Sequence, residues 1–278
     1  MLYLLLAILT SALNTVVMRL SEKHISGKMP LLAVSYTVSL VLAGGCMLLG
    51  GQPVTGEGMG TALWMGGVNG IFYVLGFVML QLNVSRNGVV LSATFMKLGL
   101  LVPLLMSVLF FGEIPGGLQI VGILMAIAAI VLIHYEKEET VMRFRIGLPL
   151  LLLAGGCSDI MSKIFEETGP LQFSDLFLLC TFVMAVILCT GMMLLRHERP
   201  HAKDVLFGAL IGIPNYFSAR VILKAIEHLP AVVVFPTYNA GAIVAVSLAG
   251  VLLFHEKLGR RQWIAVGIIL AAIVLLNI

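Results

Sequence analysis

The stretch FFGEIPGGLQIVGILMAIAAIVL at residues 110–132 returns in altered form as LFHEKLGRRQWIAVGIILAAIVL at residues 253–275. The two stretches align without a gap, so that Glu113 falls on Glu256 and Gln119 on Gln262. A repeat at about half the chain length, inside a strongly apolar sequence, is typical of duplicated membrane proteins. We therefore expect two copies of one structural unit.

Composition assigns the chain to the membrane. It has 278 residues, of which 60% are hydrophobic and 11% are charged, and its mean hydropathy is +1.07. Runs of about twenty apolar residues recur, each long enough to cross a bilayer core of about 30 Å. The first run begins at Leu2 without a basic region before it, so we expect a retained helix and not a signal peptide. An all-α integral membrane protein is predicted.

Glycine and proline residues separate the apolar runs and predict ten transmembrane helices. The predicted spans are 2–20, 31–50, 60–82, 88–111, 117–134, 146–166, 172–195, 204–226, 231–254 and 262–278. In the register of the opening repeat, Tyr73 falls on Tyr216 and Thr94 on Thr237. Each half of the chain is therefore expected to hold five helices.

The two predicted domains are residues 1–139 and residues 140–278. Because five is odd, the second domain must enter the membrane from the opposite side, which makes the pair an inverted repeat. The patterns Gly66–Gly70 and Gly208–Gly212 place two glycines one helical turn apart. They predict close packing between helices.

Basic residues predict the orientation in the membrane. They concentrate in the loops after the odd-numbered spans. The net charge of +3 therefore does not indicate a nucleic-acid-binding surface. The residues are Lys23, Lys28, Arg86, Lys137, Arg143, Arg145, Arg196, Arg199, Lys203, Lys257, Arg260 and Arg261. The positive-inside rule places these loops in the cytoplasm and both termini outside, in a multi-pass protein of the inner (plasma) membrane.

The motifs Phe-Gly-Glu at 111–113 and Phe-His-Glu at 254–256 each follow the fourth helix of a half. Asn14-Thr15 before Arg19, with Ser158-Asp159 before Lys163, repeats in the first helix of each half. With its five-plus-five layout, the whole chain resembles the EamA-type branch of the drug/metabolite transporter superfamily. That resemblance implies a central cavity lined by spans 1, 3, 4, 6, 8 and 9, with spans 5 and 10 at the periphery. Members of that family usually keep both termini in the cytoplasm, which differs from the orientation that the charges predict.

Lys97 is the most informative charged residue, because it lies about 13 Å into the fourth span at 1.5 Å per residue. A charge at that depth is costly unless it is paired or functional. We interpret Lys97 as an anchor for a carboxylate, with a structural lysine bonded to carbonyls or to an acidic neighbour as the alternative. Its counterpart in the second half is Ala240, and a single cation suits a carboxylate better than a doubly charged phosphate.

Asp159 is the second charged candidate, and it stands one helical turn before Lys163. Residues at this spacing are expected to pair and to leave little net charge. Alternatively, Asp159 binds a substrate ammonium group or carries a coupling proton. Lys163 itself lies near a helix end, where its side chain is expected to reach water.

Polar side chains in the other predicted lining spans complete the candidate substrate site. Tyrosine offers an aromatic wall and a hydroxyl together, and asparagine offers an amide, which suits a polar metabolite; packing or interfacial anchoring is the alternative. These residues are Asn14, Asn69, Tyr73, Asn215, Tyr216, Arg220, Tyr238 and Asn239.

The predicted function is secondary transport of a small polar metabolite, an amino acid or organic anion being favoured, coupled to a proton or to an exchanged solute. An exporter of cationic or aromatic compounds is the alternative. An intramembrane enzyme is a distant third, resting on His197-Glu198-Arg199-Pro200-His201, in which Pro200 disfavours the helix that a zinc motif needs. No catalytic residue, metal, cofactor or nucleic acid is expected; lipid surrounds a monomer or homodimer.

Overall fold

The protein is described here from a computed structural model that covers residues 1–22, 24–25, 27–50, 56–133, 146–255 and 258–278. Five of the basic loop residues used above (Lys23, Lys137, Arg143, Arg145 and Lys257) lie outside the described residues, as do Glu256 and the predicted boundary at residue 139. Throughout the described ranges the regular structure is helical. The all-α prediction is therefore confirmed.

The helices follow the predicted spans closely. They are α1 (Leu2–Ser21), α2 (Lys28–Leu49), α3 (Met59–Asn87), α4 (Val89–Lys97), α5 (Leu101–Phe110), α6 (Gly117–Ile133), α7 (Gly147–Thr168), α8 (Ser174–Leu195), α9 (Ala202–Ile226), α10 (Ala231–Phe254) and α11 (Arg260–Leu276). A 3₁₀ turn at Leu98–Leu100 joins α4 to α5 within one predicted span. Eight of the described helical segments are long and apolar enough to cross a membrane, and Gly117–Ile133 is a shorter apolar helix.

Helix α3 extends five residues beyond its predicted end at residue 82, to Asn87. The polar residues Asn83 and Asn87, which lie beyond the predicted end, form hydrogen bonds inside the protein. The Asn83 amide donates to the carbonyls of Met79 (2.9 Å) and Gly147 (3.0 Å), and the Asn87 amide donates to the Asn83 side-chain oxygen at 3.0 Å. Because these buried polar groups are paired, the helix continues where hydropathy alone ends it.

One compact unit comprises Met1–Val74 and Ile164–Lys224. It contains α1, α2, the first half of α3, the end of α7, α8 and α9. Gly66 of α3 comes so close to α8 that an added side chain would collide with the Phe177 carbonyl, and Gly70 is equally close to the Thr181 carbonyl. The predicted close packing at this first glycine pair is confirmed.

The second glycine pair makes a similar contact in the same unit. A side chain at Gly208 of α9 would lie 2.8 Å from Val34, and one at Gly212 would lie 2.8 Å from Val38, both on α2. Here the predicted close packing is also confirmed, and small residues allow the α2 and α9 backbones to approach.

The other compact unit comprises Leu75–Lys163 and Ala225–Ile278. Its apolar core joins the α4–α5 span, α6, α10 and α11, with Leu100, Ile130, Ala240 and Ile269 fully or almost fully buried. Both compact units therefore take residues from both sequence halves, which is what two five-helix repeats do when their helices interleave.

Candidate functional site

Lys97 lies at the last residue of α4, where the helix tightens into the 3₁₀ turn Leu98–Leu100. The sequence explains the change of helix type at this point. Pro103 has no N–H, so the carbonyl of Gly99, four residues earlier, has no helical donor. A 3₁₀ stretch within a long helix often marks a functional hinge. The local backbone is irregular beside the one lysine that the sequence places deep in a span.

Asp159 of α7 belongs to the same compact unit as Lys97, and the two are close enough for their charges to influence each other. Protein atoms surround both groups, yet both keep partly accessible surface. Neither candidate residue is therefore fully buried.

A crossing of two glycine-containing segments brings these charges together. A side chain at Gly156 of α7 would collide with the Gly99 carbonyl, and one at Gly155 would lie 3.2 Å from the Met96 carbonyl. The backbone of α7 therefore lies directly on the backbone around Lys97. Asp159 is less than one turn beyond Gly156, and Lys97 is two residues before Gly99, so both candidates lie close to the crossing.

The pairing of Asp159 with Lys163 stays a prediction. The Lys163 ammonium lies 2.8 Å from Oε1 of Glu113, a partner that the spacing did not predict, and it is buried, with 3% of its side chain exposed. It also lies over the Phe111 ring, 5.7 Å from the ring centre. The expectation that Lys163 reaches water is wrong, because the lysine is buried and the segment after α5 supplies Glu113 as its counter-ion.

Arg220 of α9 belongs to a separate polar group in the first unit. Its guanidinium donates to Oδ2 of Asp175 and to the Tyr216 hydroxyl, both at 3.0 Å. Tyr216 is completely buried, and Asp175 is nearly so. Sequence reasoning selected Arg220 and Tyr216 but missed Asp175, whose signal is a lone carboxylate in the first turn of an apolar span.

Aromatic rings pack beside this group. The ring of Phe182 lies 6.2 Å from Tyr73, 6.2 Å from Tyr216 and 6.4 Å from Tyr36. Tyr36, which sequence reasoning also missed, is buried, whereas Tyr73 keeps partly accessible surface. The four rings form a packed aromatic cluster, in which Tyr73 keeps partly accessible surface.

The amide candidates differ in what they contact. In the first unit Asn69 donates to the Thr181 hydroxyl at 3.2 Å and Asn215 to the Ser39 hydroxyl at 3.5 Å, while the Asn14 side-chain oxygen has no hydrogen-bond partner among the described residues. In the second unit Asn239 donates to the Phe235 carbonyl at 3.1 Å, and its neighbour Tyr238 is partly accessible. The structure thus divides the predicted site residues between the two compact units.

The H-E-x-x-H segment lies in the connection between α8 and α9. His197 has a positive φ of 54°, and His201 precedes the first residue of α9, where its N–H donates to Asp204 at 2.8 Å. The two histidines therefore do not project from one face of a helix, which is what a zinc site of this pattern requires. Among the described residues, no three His, Cys, Asp or Glu side chains are grouped to hold a metal.

Comparison with known proteins identifies the family to which the chain belongs. The sequence profile of the EamA-like transporter family matches residues 1–135 and again residues 145–278. The chain belongs to this family, and the two matches correspond to the two halves of the repeat. Membership supports a multi-pass membrane transporter and fits the inverted-repeat architecture.

Two relatives give the extent of the similarity. The chain is 25% identical over 215 residues to an uncharacterized protein of Haemophilus influenzae, a match that covers 73% of each chain. A solved crystal structure superimposes with a TM-score of 0.75 at 14% identity, covering 99% of this chain and 98% of that one. The second likeness concerns the fold alone.

Proposed function

We propose that the protein is a secondary active transporter of the inner membrane that carries a small zwitterionic metabolite, an amino acid or a close analogue, by alternating access. The observation that carries the proposal is the close crossing of the backbones at Gly99 and Gly156, which places Lys97 and Asp159 near each other within transmembrane helices. Lys97 would hold the substrate carboxylate, and Asp159 its ammonium group. The second half has Ala240 in place of Lys97, so the repeat symmetry is broken at the proposed site.

The charge pair favours a zwitterion over a simple anion. In the empty site the two side chains partly neutralise each other, which lowers the cost of keeping two charges inside a membrane protein. A zwitterion replaces this one pair by two pairs, so that neither charge loses its partner on binding. A simple carboxylate would satisfy Lys97 and leave Asp159 facing a second negative charge, which is unfavourable where screening is weak.

Energy coupling is proposed to come from a proton or a counter-transported solute. Asp159 is the group on which we place a coupling proton, because it is a carboxylate within a transmembrane helix and keeps partly accessible surface. The orientation with both termini outside and the inner-membrane location are part of the same proposal.

The exchange of radiolabelled amino acids in reconstituted vesicles tests this proposal. Lys97→Met and Asp159→Asn should each lower exchange about tenfold or more. Each variant leaves one charged group of the bound amino acid without its partner, and an unpaired buried polar group is costly. Lys224→Met removes an exposed lysine and serves as the matched control, with exchange unchanged. Exchange by Lys97→Met at the wild-type rate would remove Lys97 from the site.

A second function, export of cationic compounds, is favoured by Asp159, a partly accessible carboxylate within a transmembrane helix. The same two variants separate the alternatives. A cation exporter needs Asp159 but is hindered by Lys97, so Lys97→Met would raise the flux of a lipophilic cation while Asp159→Asn abolished it. An amino acid transporter requires both residues.

A further inference from the structure

Four exposed basic side chains lie at one end of the first compact unit. Two belong to the connection from α8 to α9, one to the first turn of α9, and one begins α2. They are Arg196, Arg199, Lys203 and Lys28, and together they are called the basic surface. The proposed substrate site contains none of them.

The connection from α8 to α9 has a hydrogen-bonded backbone at both of its ends. After α8 the Glu198 N–H donates to the Met193 carbonyl, five residues earlier, at 3.1 Å, and His197 has a left-handed φ of 54°. These are the marks of the Schellman motif, which commonly ends a helix. Before α9 the Asp204 carboxylate accepts the His201 N–H at 2.8 Å. The connection therefore holds its basic side chains on an ordered backbone.

The carboxylates of this connection are turned towards helix N-termini. Asp204 is completely buried at the start of α9. The Oε2 atom of Glu198 is shielded from solvent, and a side chain added at Gly27, the residue before α2, would lie 2.8 Å from it. The partial positive charge of a helix N-terminus favours a carboxylate at both places. These two negative charges are thus compensated inside the protein, while Glu22 after α1 is exposed.

The connection from α1 to α2 is packed against the same region. The His24 ring stacks on the Phe207 ring of α9, with 5.5 Å between the ring centres. Glu198 reaches Gly27, and Lys28 follows Gly27 directly. Lys28 therefore joins the basic side chains of the α8–α9 connection in one surface.

Exposed apolar side chains border the basic surface along the chain. Leu195, immediately before Arg196, is 82% exposed, and Leu206, three residues after Lys203, is 58% exposed. On the outside of a membrane protein such side chains face the acyl chains of the lipid. Basic side chains at the border of this apolar region can extend to the level of the lipid phosphates.

We propose that the basic surface binds the headgroups of anionic phospholipids in the leaflet at this end of the protein. About four or more lysine and arginine residues beside a membrane-spanning helix attract anionic headgroups, and each charge adds to the attraction. The inward carboxylates favour this binding, because they leave the exposed positive charges without neighbouring negative charges from the same connection. This lipid-binding role goes beyond the proposed transport and does not depend on the substrate.

Titration of the detergent-solubilised protein with lipid, followed by native mass spectrometry, tests the proposal. The probes are phosphatidylglycerol, which is anionic, and phosphatidylcholine, which is zwitterionic. We expect the wild type to bind phosphatidylglycerol more tightly. Arg196→Gln combined with Arg199→Gln should weaken this binding about fivefold for each charge removed. Equal binding of the two lipids by the wild type would overturn the proposal.

Arg260→Gln combined with Arg261→Gln is the matched control. It removes two exposed arginines from the start of α11, on the same predicted side of the membrane. Because neither belongs to the basic surface, phosphatidylglycerol binding should stay as in the wild type. An equal loss in both double variants would show that the net charge of the protein retains the lipid, which contradicts the proposal.

A charge-preserving variant detects damage to the connection itself. Arg196→Lys combined with Arg199→Lys keeps both positive charges, so the preference for phosphatidylglycerol should be retained. Loss of the preference in this variant would assign the effect to the local fold and overturn the proposal. Tighter binding of a poly-glutamate peptide than of phosphatidylglycerol by the wild type would assign the basic surface to an acidic protein partner instead.

Discussion

Two basic side chains inside the protein each form an ion pair with a carboxylate. Lys163 meets Glu113 at 2.8 Å, and Arg220 meets Asp175 at 3.0 Å. Removing one member of a buried pair is costly because the other remains uncompensated, whereas the intact pair contributes little net stability. The pairs are thus better markers of helix position than of stability.

The Arg220 group gives a prediction on stability. Asp175→Asn should lower the free energy of unfolding by about 2–3 kcal/mol, because it removes the counter-ion of a guanidinium that is only partly exposed. Tyr216→Phe should cost only about 1 kcal/mol, since it deletes one hydrogen bond and keeps the ring. Unfolding in mixed micelles measures both, with Glu22→Gln at an exposed position as control. Equal losses from the two variants would argue against the ion pair as the dominant interaction.

At the level of the helices, one crossing lies beside the candidate residues Lys97 and Asp159. Helix α7 passes over the end of α4 at Gly156 and Gly99, without side chains between the two backbones. Because Asp159 and Lys97 lie beside this crossing, any group that separates the helices also separates the charges. We therefore expect these glycines to position the two candidate residues.

Gly156→Ala tests the crossing at the level of the element. The added methyl group would collide with the Gly99 carbonyl and approach Val102, so we expect a loss of about 1–3 kcal/mol in stability from overpacking. Amino acid exchange should fall with it. Gly267→Ala is the matched control, because Gly267 lies within α11 and an added side chain meets nothing within 4 Å. That change should be neutral or stabilise by up to about 1 kcal/mol, and a similar loss at both positions would contradict the interpretation.

At the scale of the whole molecule, the repeat and the compact units divide the chain differently. The family profile matches residues 1–135 and 145–278, whereas one compact unit joins Met1–Val74 to Ile164–Lys224. Each unit thus combines helices from both repeats.

The inverted arrangement also makes a prediction about the termini. In a background without the native cysteines, Leu2→Cys and Ile278→Cys place thiols at exposed positions, and a membrane-impermeant maleimide should modify both in intact cells. Arg199→Cys, in the connection between α8 and α9, should react only after the cells are permeabilised. Modification in the reverse pattern would show that the positive-inside rule misplaces the chain.

The fold followed from the sequence because hydropathy, helix length and an internal repeat are properties of contiguous residues. In a bilayer every backbone polar group must be bonded within its own segment, so an apolar run of sufficient length has few alternatives to a helix. The predicted ends differed most at α3, where the polar Asn83 and Asn87 are satisfied by their own helix and by Gly147. A local hydropathy average contains no information about a hydrogen-bond partner such as Gly147, which lies 64 residues from Asn83 in the chain.

The choice of partners was decided only by the tertiary structure. Lys97 was identified from its depth in a span, but the glycine crossing of two separate helices is what places Asp159 near it. Local spacing predicted Asp159 as the partner of Lys163, whereas the structure adds Glu113, distant in sequence, whose carboxylate also accepts a hydrogen bond from Val232 of α10. Electrostatic attraction depends on distance in space, so the sequence determined which charges enter the membrane, and the packing of the helices determined which of them meet.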